Sequence, residues 1–270
     1  MRDGMLEFKD APMFGRVMRD ADICKEVLER FLGFAIERIE YLNAEHVLDP
    51  ATDAKGVRLD VFAKGTGAVF DIEMQVASTP SLGKRLRYYQ ASIDQACLDK
   101  GCDYDALGAS YIIFVCDFDA YGRGLPAYHL ERACLEDASV DVADASHWLV
   151  LNACAWDKDE DARRAGLLNY IHTSVDADDV LVSKISCAVK SANSDAKWRE
   201  SAVGFMTVEH SHRVALRDAR REGLAEGIQQ GEARFGKLAD ILLDEKRIDD
   251  LKRAADDATY RDALFQEYGL

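Results

Sequence analysis

Residues 58–75 read RLDVFAKGTGAVFDIEMQ, and their pattern is the most informative in the chain. Across residues 57–77, apolar and polar side chains alternate in two arms, and the glycine-bearing stretch 65–67 separates the arms. An alternation of period two on both sides of such a connection is typical of a β-hairpin. The stretch therefore predicts two antiparallel strands joined by a turn.

The register of this hairpin follows from its apolar face. A turn centred just after Thr66 sets Asp60 opposite Glu73. The same count sets Arg58 opposite Gln75. The other face is then apolar on both arms, with Leu59, Val61, Ala63, Phe70, Ile72 and Met74. A slip by one residue would mix these side chains with the carboxylates, so we predict this register.

The opposed carboxylates of Asp60 and Glu73 predict a cation site. Side chains directly opposite each other have Cβ atoms ~5 Å apart, and like charges placed there repel. A hard divalent ion such as Mg²⁺ would offset this repulsion, because it prefers oxygen ligands and leaves positions for water and phosphate oxygens. Gln75 lies two residues beyond Glu73 and so faces the same side. Its neutral amide can hydrogen-bond water or phosphate.

The segments around the hairpin predict helices and further strands. The segment 14–42, FGRVMRDADICKEVLERFLGFAIERIEYL, has apolar residues at spacings of three and four, which predict an amphipathic helix or helix pair. A second helix follows Pro80 and ends by Gly101. The apolar run YIIFVC at 111–116 predicts a strand covered on both faces. Further expected elements are strands at 127–134 and 147–151 and helices at 161–170 and 178–191. The fold class is α/β, with a mixed sheet flanked by helices.

The C-terminal part of the chain differs from the rest. Residues 198–243 have no strand pattern, and Glu-Gly or Gln-Gly pairs recur every four residues at 222–231. Each glycine costs a helix roughly 1 kcal/mol relative to alanine. Two interpretations remain: a solvated, partly flexible helical extension, or a helix through which the protein forms a homo-oligomer. We expect no apolar core there, and we divide the chain into a core (1–155), a helical region packed on it (156–212) and a helical tail (213–270).

Composition narrows the classes of function. The chain has 49 acidic and 34 basic side chains and a net charge of −15, which argues against a general nucleic-acid coat protein but leaves a local site open. No apolar run approaches the ~20 residues that span a bilayer. The charged start, MRDGMLEFKD, is unlike a signal peptide, so we expect a cytoplasmic protein without a membrane partner. Seven cysteines without a CxxC pair argue against disulfides and against a structural zinc site.

The hairpin and the strings after it resemble the PD-(D/E)XK nuclease superfamily, specifically its Rpn-like branch of recombination-promoting nucleases or PD-(D/E)XK family transposases. After the hairpin, the branch's order continues with RLRYYQ at 85–90, KGCDY at 100–104 and YIIFVCDFD at 111–119. The resemblance covers residues 8–152 well and the glycine-glutamate tail loosely. It implies a restriction-endonuclease-like αβββαβ core.

The resemblance also implies roles for residues of the hairpin. Asp60 and Glu73 would be catalytic ligands of Mg²⁺ or Mn²⁺, with the Met74 carbonyl as a third ligand. Gln75 occupies the catalytic place of the usual lysine. A lysine would orient the attacking water and neutralise charge, whereas glutamine can only orient, so the metal would supply most of the charge stabilisation. The superfamily often adds an acid from its first helix, and three glutamates qualify here: Glu26, Glu29 and Glu37.

The helix after the hairpin is the expected contact to a polyanion. Lys84, Arg85 and Arg87 fall within four residues, and Arg87 shares a helix face with Gln90. We predict that Lys84, Arg87 and Gln90 contact DNA. The alternative is that these cations merely solvate the helix and pair with neighbouring carboxylates.

Two aspartates follow the predicted strand at 111–116. Asp117 and Asp119 lie at a strand end, an edge of α/β sheets where ligands often bind. Capping and turn roles are commoner for aspartate. Both interpretations stay open.

Two classes of function remain. The first is a metal-dependent DNA endonuclease that hydrolyses phosphodiester bonds in DNA mobility, recombination or defence against foreign DNA. The second is a binding or assembly protein that keeps the nuclease fold but cleaves slowly or not at all. The charge of −15 and the missing lysine favour the second, whereas the repulsive pairing of Asp60 with Glu73 favours the first, because a scaffold gains nothing from it.

Overall fold

The structure is a computed structural model that describes residues 5–48, 57–65, 67–78 and 81–270. The side chains at 41, 44–46, 208–230 and 232 lie outside that description, as do the predicted turn residue Thr66 and Pro80 before the predicted helix. The chain divides into two compact units, Met1–Gly204 and Phe205–Leu270. The three-part division with boundaries after 155 and 212 stays a prediction.

A six-stranded mixed sheet lies in the first unit. Its strands are β1 (Ile39–Leu48), β2 (Val57–Gly65), β3 (Ala68–Gln75), β4 (Ala109–Cys116), β5 (Ala127–Leu130) and β6 (Ser146–Asn152). Their spatial order is β1-β2-β3-β4-β6-β5. The pairs β3/β4 and β4/β6 are parallel, and the other neighbours are antiparallel. The predicted α/β class with a mixed sheet is confirmed, although β5 is shorter than the strand predicted at 127–134.

Helices cover the sheet. Those of the first unit are α1 (Ala11–Val17), α2 (Ala21–Leu32), α3 (Leu82–Cys97), α4 (Ala162–Thr173) and α5 (Val180–Ser194), with short 3-10 helices at Tyr104–Ala106 and Ala153–Lys158. The chain continues through α6 (Ala196–Asp244) into the second unit, which also contains α7 (Ile248–Asp256) and α8 (Ala258–Glu267). One core cluster joins Leu86 and Ile93 of α3 to Phe62, Ile112 and Phe114 of the sheet. Alternate strand residues such as Val61, Ile72 and Ile113 are also buried, so both faces of the sheet are covered. In the described part of the chain, no helix combines the length and apolarity needed to cross a membrane.

The hairpin has the predicted register. Strand β2 pairs with β3 through Val61 with Ile72 and Ala63 with Phe70. This register turns the apolar face into the interior, where Leu59, Val61, Ala63, Phe70, Ile72 and Met74 are all buried. The position one step beyond Val61 is Asp60, which therefore faces Glu73 as predicted.

The N-terminal helical pattern ends earlier than predicted. The helix pair exists as α1 and α2, but α2 ends at Leu32 and β1 begins at Ile39. Gly33 has a left-handed φ of 79°, and its N–H donates to the Glu29 carbonyl, which closes the helix. The prediction of helix through residue 42 is therefore wrong, because it followed the apolar spacing past a glycine that stops the helix.

The second unit is helical, as predicted for this part of the chain. Residues 198–243 lie within α6, and α7 and α8 follow. The unit nevertheless has its own small apolar core, formed by Leu238, Leu242, Ala254, Leu264 and Phe265. The expectation that the tail supplies no core is wrong, because the buried residues are distributed over three helices and no single segment reveals them.

Candidate functional site

Asp60 and Glu73 join β2 and β3 through their side chains, one step beyond the pair Val61 and Ile72. The Asp60 backbone N–H donates to Glu73 Oε1 at 2.8 Å, and the Met74 N–H donates to Asp60 Oδ2 at 3.1 Å. The backbone pairing of β2 with β3 ends at Val61 and Ile72. Each carboxylate thus takes a backbone donor of the opposite strand, which holds the two acids together at this end of the hairpin.

Glu73 is almost completely buried, with 2% of its surface exposed. The Tyr89 hydroxyl donates to its Oε2 at 3.3 Å, and Arg85 Nη2 lies 3.4 Å from the same oxygen. Burial raises the pKa of Glu73 well above its usual value, and the Asp60 and Asp71 carboxylates raise it further. The Asp60 N–H and Arg85 offset these effects only in part. The ionised form of Glu73 is therefore disfavoured by its surroundings, and a bound cation would stabilise it.

A third acid, Asp71, lies behind the first two. Its side chain is fully buried, and in β3 it lies between Phe62 of β2 and Ile112 of β4. Neither of its carboxylate oxygens has a hydrogen-bond partner among the described residues. Burial raises the pKa of Asp71 well above its usual value, and Asp60 raises it further. The sequence interpretation missed Asp71, although its position two residues before Glu73 in an alternating strand could have revealed it.

Arg85 brings a cation to these acids from α3. Its Nη1 donates to Gln75 Oε1 at 2.8 Å, and its Nη2 donates to the Tyr89 hydroxyl at 3.1 Å. The guanidinium also lies 5.0 Å from the centre of the Phe114 ring, a cation–π distance. Arg85 therefore supplies positive charge next to Gln75, the residue that stands where a lysine was expected. The sequence contained one indication of this role: Arg85 lies four residues before Tyr89, so the two side chains share a face of α3 beside its buried residues.

The acids Asp60, Asp71 and Glu73 are called the carboxylate cluster below. Buried carboxylates are costly unless they are paired, and Arg85 offsets only part of this charge. Carboxylate oxygens are the ligands that Mg²⁺ and Mn²⁺ prefer. The unpartnered oxygens of Asp71 and the all-oxygen donor set of the cluster fit a hard divalent ion.

The family follows from comparison with known proteins. The model of the PD-(D/E)XK nuclease family transposases matches residues 7–146, just over half of the chain. The chain belongs to this family. The match includes the hairpin, α3 and β4, and so the whole carboxylate cluster. No curated protein and no solved structure gives a significant match.

Membership of the PD-(D/E)XK nuclease family transposases confirms the resemblance and supports a nuclease-type function. The residues carried over from the resemblance lie together, since Asp60, Glu73 and Gln75 all contact one another or Arg85. The Met74 carbonyl, the expected third ligand, accepts from the Gln75 side-chain amide at 3.0 Å. Its role as a metal ligand stays a prediction.

The three residues of α3 that were predicted to contact DNA differ in their exposure to solvent. Lys84 and Arg87 are exposed on α3. Gln90, in contrast, has only 4% of its surface exposed. Its amide nitrogen donates to Asp94 and Ser110, and its oxygen accepts from Ser146 and Trp148. Gln90 therefore links α3 to β4 and β6, which favours a structural role, and its contact to DNA stays a prediction.

The N-terminal glutamates have other contacts. Glu26 forms an ion pair with Lys184 of α5 at 2.9 Å. Glu29 accepts from the Ile36 N–H at 2.8 Å, just after the end of α2. Glu37 is exposed. The contacts of Glu26 and Glu29 attach α2 to its surroundings, and they favour structural roles over the completion of the carboxylate cluster.

The two aspartates after β4 have different roles. The Asp119 carboxylate accepts the backbone N–H groups of Tyr121, Gly122 and Gly124 and the hydroxyl of Tyr128. It is therefore a turn residue, which is the commoner of the two roles considered. Asp117 instead contacts Lys9 and His172.

Proposed function

We propose that this protein is a metal-dependent DNA endonuclease that hydrolyses phosphodiester bonds. The observation that carries the proposal is the carboxylate cluster, in which three acids converge on one end of the hairpin and Asp71 has no hydrogen-bond partner among the described residues. A purely structural role would not require this concentration of buried negative charge. DNA mobility, recombination or defence against foreign DNA is the setting that we infer for the activity.

Asp60 and Glu73 would hold Mg²⁺ or Mn²⁺, because backbone donors hold their carboxylates together and Asp60 is partly exposed. Asp71, which is fully buried, would add negative charge behind them. The ion supplies Lewis-acid charge and makes water a stronger nucleophile at neutral pH. Hydrolysis adds water to phosphorus, breaks one P–O bond of the backbone and leaves a proton on the departing oxygen.

Arg85 would take over the charge that the family's usual lysine supplies. Its guanidinium is directed towards Glu73 and Gln75 by hydrogen bonds and by the Phe114 ring. A fixed positive group next to the carboxylates can stabilise negative charge that develops on the phosphoryl group. Gln75 is then a positioning residue, since its amide oxygen holds Nη1 of Arg85. The sequence argument assigned most of the charge stabilisation to the metal and assigned the cations of α3 to contact with DNA.

The alternative is a nuclease-fold protein that binds DNA or a second copy of itself and cleaves slowly or not at all. The observation that favours it is the net charge of −15, which opposes the approach of DNA. Lys84 and Arg87 provide local positive charge on α3 under either function.

Nicking of supercoiled plasmid tests the proposal. We expect the full-length protein to nick DNA with Mg²⁺ or Mn²⁺ and to stop when a chelator is added. Glu73→Ala should lower the rate by at least ~100-fold, the lower end of the range for removing one group that stabilises the transition state. Glu160→Ala, which removes an exposed acid, is the matched control and should cleave like wild type. Absence of metal-dependent cleavage by the folded wild-type protein would refute the proposal and favour the alternative.

A further inference from the structure

A second group of metal-ligating side chains lies outside the carboxylate cluster. Asp117 follows β4, Cys154 lies in the 3-10 helix Ala153–Lys158, and His172 lies in the last turn of α4. One ligand atom of each lies within 4.8 Å of the other two. We call these three residues the mixed-donor cluster, because they offer oxygen, sulfur and nitrogen.

The distances within the mixed-donor cluster approach those of a metal site. Cys154 Sγ lies 3.8 Å from His172 Nδ1 and 4.0 Å from Asp117 Oδ1. In a tetrahedral zinc site with bonds of ~2.0 Å to nitrogen and oxygen and ~2.3 Å to sulfur, neighbouring donors are roughly 3.3–3.6 Å apart. His172 Nδ1 and Asp117 Oδ1 are 2.5 Å apart and would separate by about 1 Å on binding.

Lys9 orients the aspartate of this cluster. Its ammonium donates to Asp117 Oδ2 at 2.8 Å and to the His172 carbonyl at 3.0 Å. Because Lys9 holds Oδ2, the other oxygen, Oδ1, is directed towards Cys154 and His172. The donor that a metal would use is thus positioned by a residue that does not itself ligate.

We propose that Asp117, Cys154 and His172 form a second metal site, which takes Zn²⁺ and leaves the fourth position to water. Thiolate and imidazole ligands select zinc over Mg²⁺, which demands an all-oxygen shell. Cys154 is exposed, so the fourth position is open to solvent. Binding replaces the thiol proton of Cys154, and this proton passes to the solvent.

The site would connect three segments of the first unit. Asp117 also donates its backbone N–H to the Gln75 carbonyl at 2.8 Å, so it is anchored to the end of β3. Zinc would join this strand end to α4 and to the 3-10 helix. The inference is independent of the nuclease proposal, because none of the three residues belongs to the carboxylate cluster.

Cobalt(II) is the probe for this site, because it replaces zinc in tetrahedral sites and has visible spectra. We expect the full-length protein to show a thiolate-to-cobalt charge-transfer band, which zinc abolishes by displacement. Cys154→Ser should remove the band and weaken zinc binding by at least ~10-fold, since even residues that only support a ligand contribute this much. Cys187→Ser, which alters an exposed cysteine of α5, is the matched control and should retain both.

His172→Gln is the second variant and should weaken zinc binding to a similar extent with Cys154 intact. Thermal unfolding without metal checks that each variant is folded. A wild-type protein without the charge-transfer band would overturn the proposal, as would a Cys154→Ser protein that binds zinc as tightly as wild type. Cobalt bound only by the carboxylate cluster would show no thiolate band, so the two sites are distinguishable.

Discussion

The carboxylate cluster contains residues of β3 and the mixed-donor cluster contains Asp117 just after the neighbouring strand β4, yet the two clusters differ in how far positive groups offset their negative charge. In the first, Asp71 and Glu73 are buried, and the pKa of each is raised well above its usual value by that burial. In the second, Asp117 is the one acid of the trio, and Lys9 and His172 both contact its carboxylate.

This difference shows how donor type and charge compensation select a ligand. The carboxylate cluster has excess negative charge and only oxygen donors, which favours a hard divalent ion. The mixed-donor cluster has a compensated acid and softer donors, which favours zinc. The following predictions test this contrast from its largest expected effect to its smallest.

The largest effect is expected from Arg85→Gln. If Arg85 supplies the cation that Gln75 cannot, its loss should lower the cleavage rate constant by ~100- to 1,000-fold. Arg85→Lys should recover part of that loss, because it keeps the charge. Gln75→Ala should lower the rate constant less than Arg85→Gln does, because it loosens Arg85 without removing it. Single-turnover cleavage at saturating metal measures all three, and equal rates for Arg85→Gln and wild type would exclude Arg85 from catalysis.

The second effect concerns Asp60 as a metal ligand. In chelator, Asp60→Asn should be no less stable than wild type, because it removes repulsion with Glu73 and keeps an oxygen for the Met74 N–H. Mg²⁺ or Mn²⁺ at 100 times its dissociation constant should stabilise wild type by ~2.7 kcal/mol, and the variant should lose most of that gain.

Thermal unfolding with chelator and with each ion measures the contribution of Asp60. Asp105→Asn, which changes an exposed acid, is the control and should retain the full metal-induced shift. An equal shift in the Asp60→Asn protein would mean that Asp60 does not ligate the metal.

The third effect is on the metal-free protein. Asp71→Asn should raise the free energy of unfolding at pH 7 by at least ~1.4 kcal/mol, the value of one unit of pKa shift, because an amide cannot ionise. Because the folded-state pKa of Asp71 is raised, wild type loses stability as the pH rises above about 4, where the unfolded chain ionises. The gain from Asp71→Asn should therefore shrink as the pH falls towards 4.

Denaturant unfolding in chelator at several pH values measures the effect of Asp71. The pKa of Glu73 is shifted in the same direction, and Asp71→Asn also removes the part of that shift that the Asp71 charge causes, so both effects flatten the pH dependence of the variant. A stability difference that is independent of pH would show that Asp71 is not forced towards its protonated form.

The smallest effect is expected from the exposed cations of α3. Lys84→Gln and Arg87→Gln should each lower the slope of log affinity for DNA against log salt by ~1, the value for one phosphate contact. Lys190→Gln, in α5 and paired with Asp176, is the control and should leave the slope unchanged. Fluorescence anisotropy in chelator measures binding without cleavage. Unchanged slopes for both α3 variants would mean that DNA does not approach along this helix.

The hairpin could be predicted from residues 57–77 because its signal is local. Alternation of period two on both arms permits one pairing that buries every apolar side chain, so the position of Asp60 opposite Glu73 follows from the sequence. The positions of α3 and β4 were also predicted correctly, because their patterns too lie within short segments of the sequence. Reliance on local patterns also explains the error after Leu32, where the end of α2 depends on the left-handed conformation of Gly33.

The partners of the hairpin acids depend on tertiary structure. Whether Arg85 or Arg87 reaches Glu73 depends on how α3 lies on the sheet, and the sequence interpretation selected only Arg87, for contact with DNA. Burial of Gln90 has the same cause, since its four partners come from α3, β4 and β6.

Alternation and helical spacing in the sequence were sufficient for the strands, the helices and two of the three acids, because each of these signals lies within a short segment. Only the tertiary structure brought Cys154 to Asp117 and His172, from which it is separated by 37 and 18 residues. Such a cluster has no periodic signature, because its members lie in different elements whose packing is decided by the whole core.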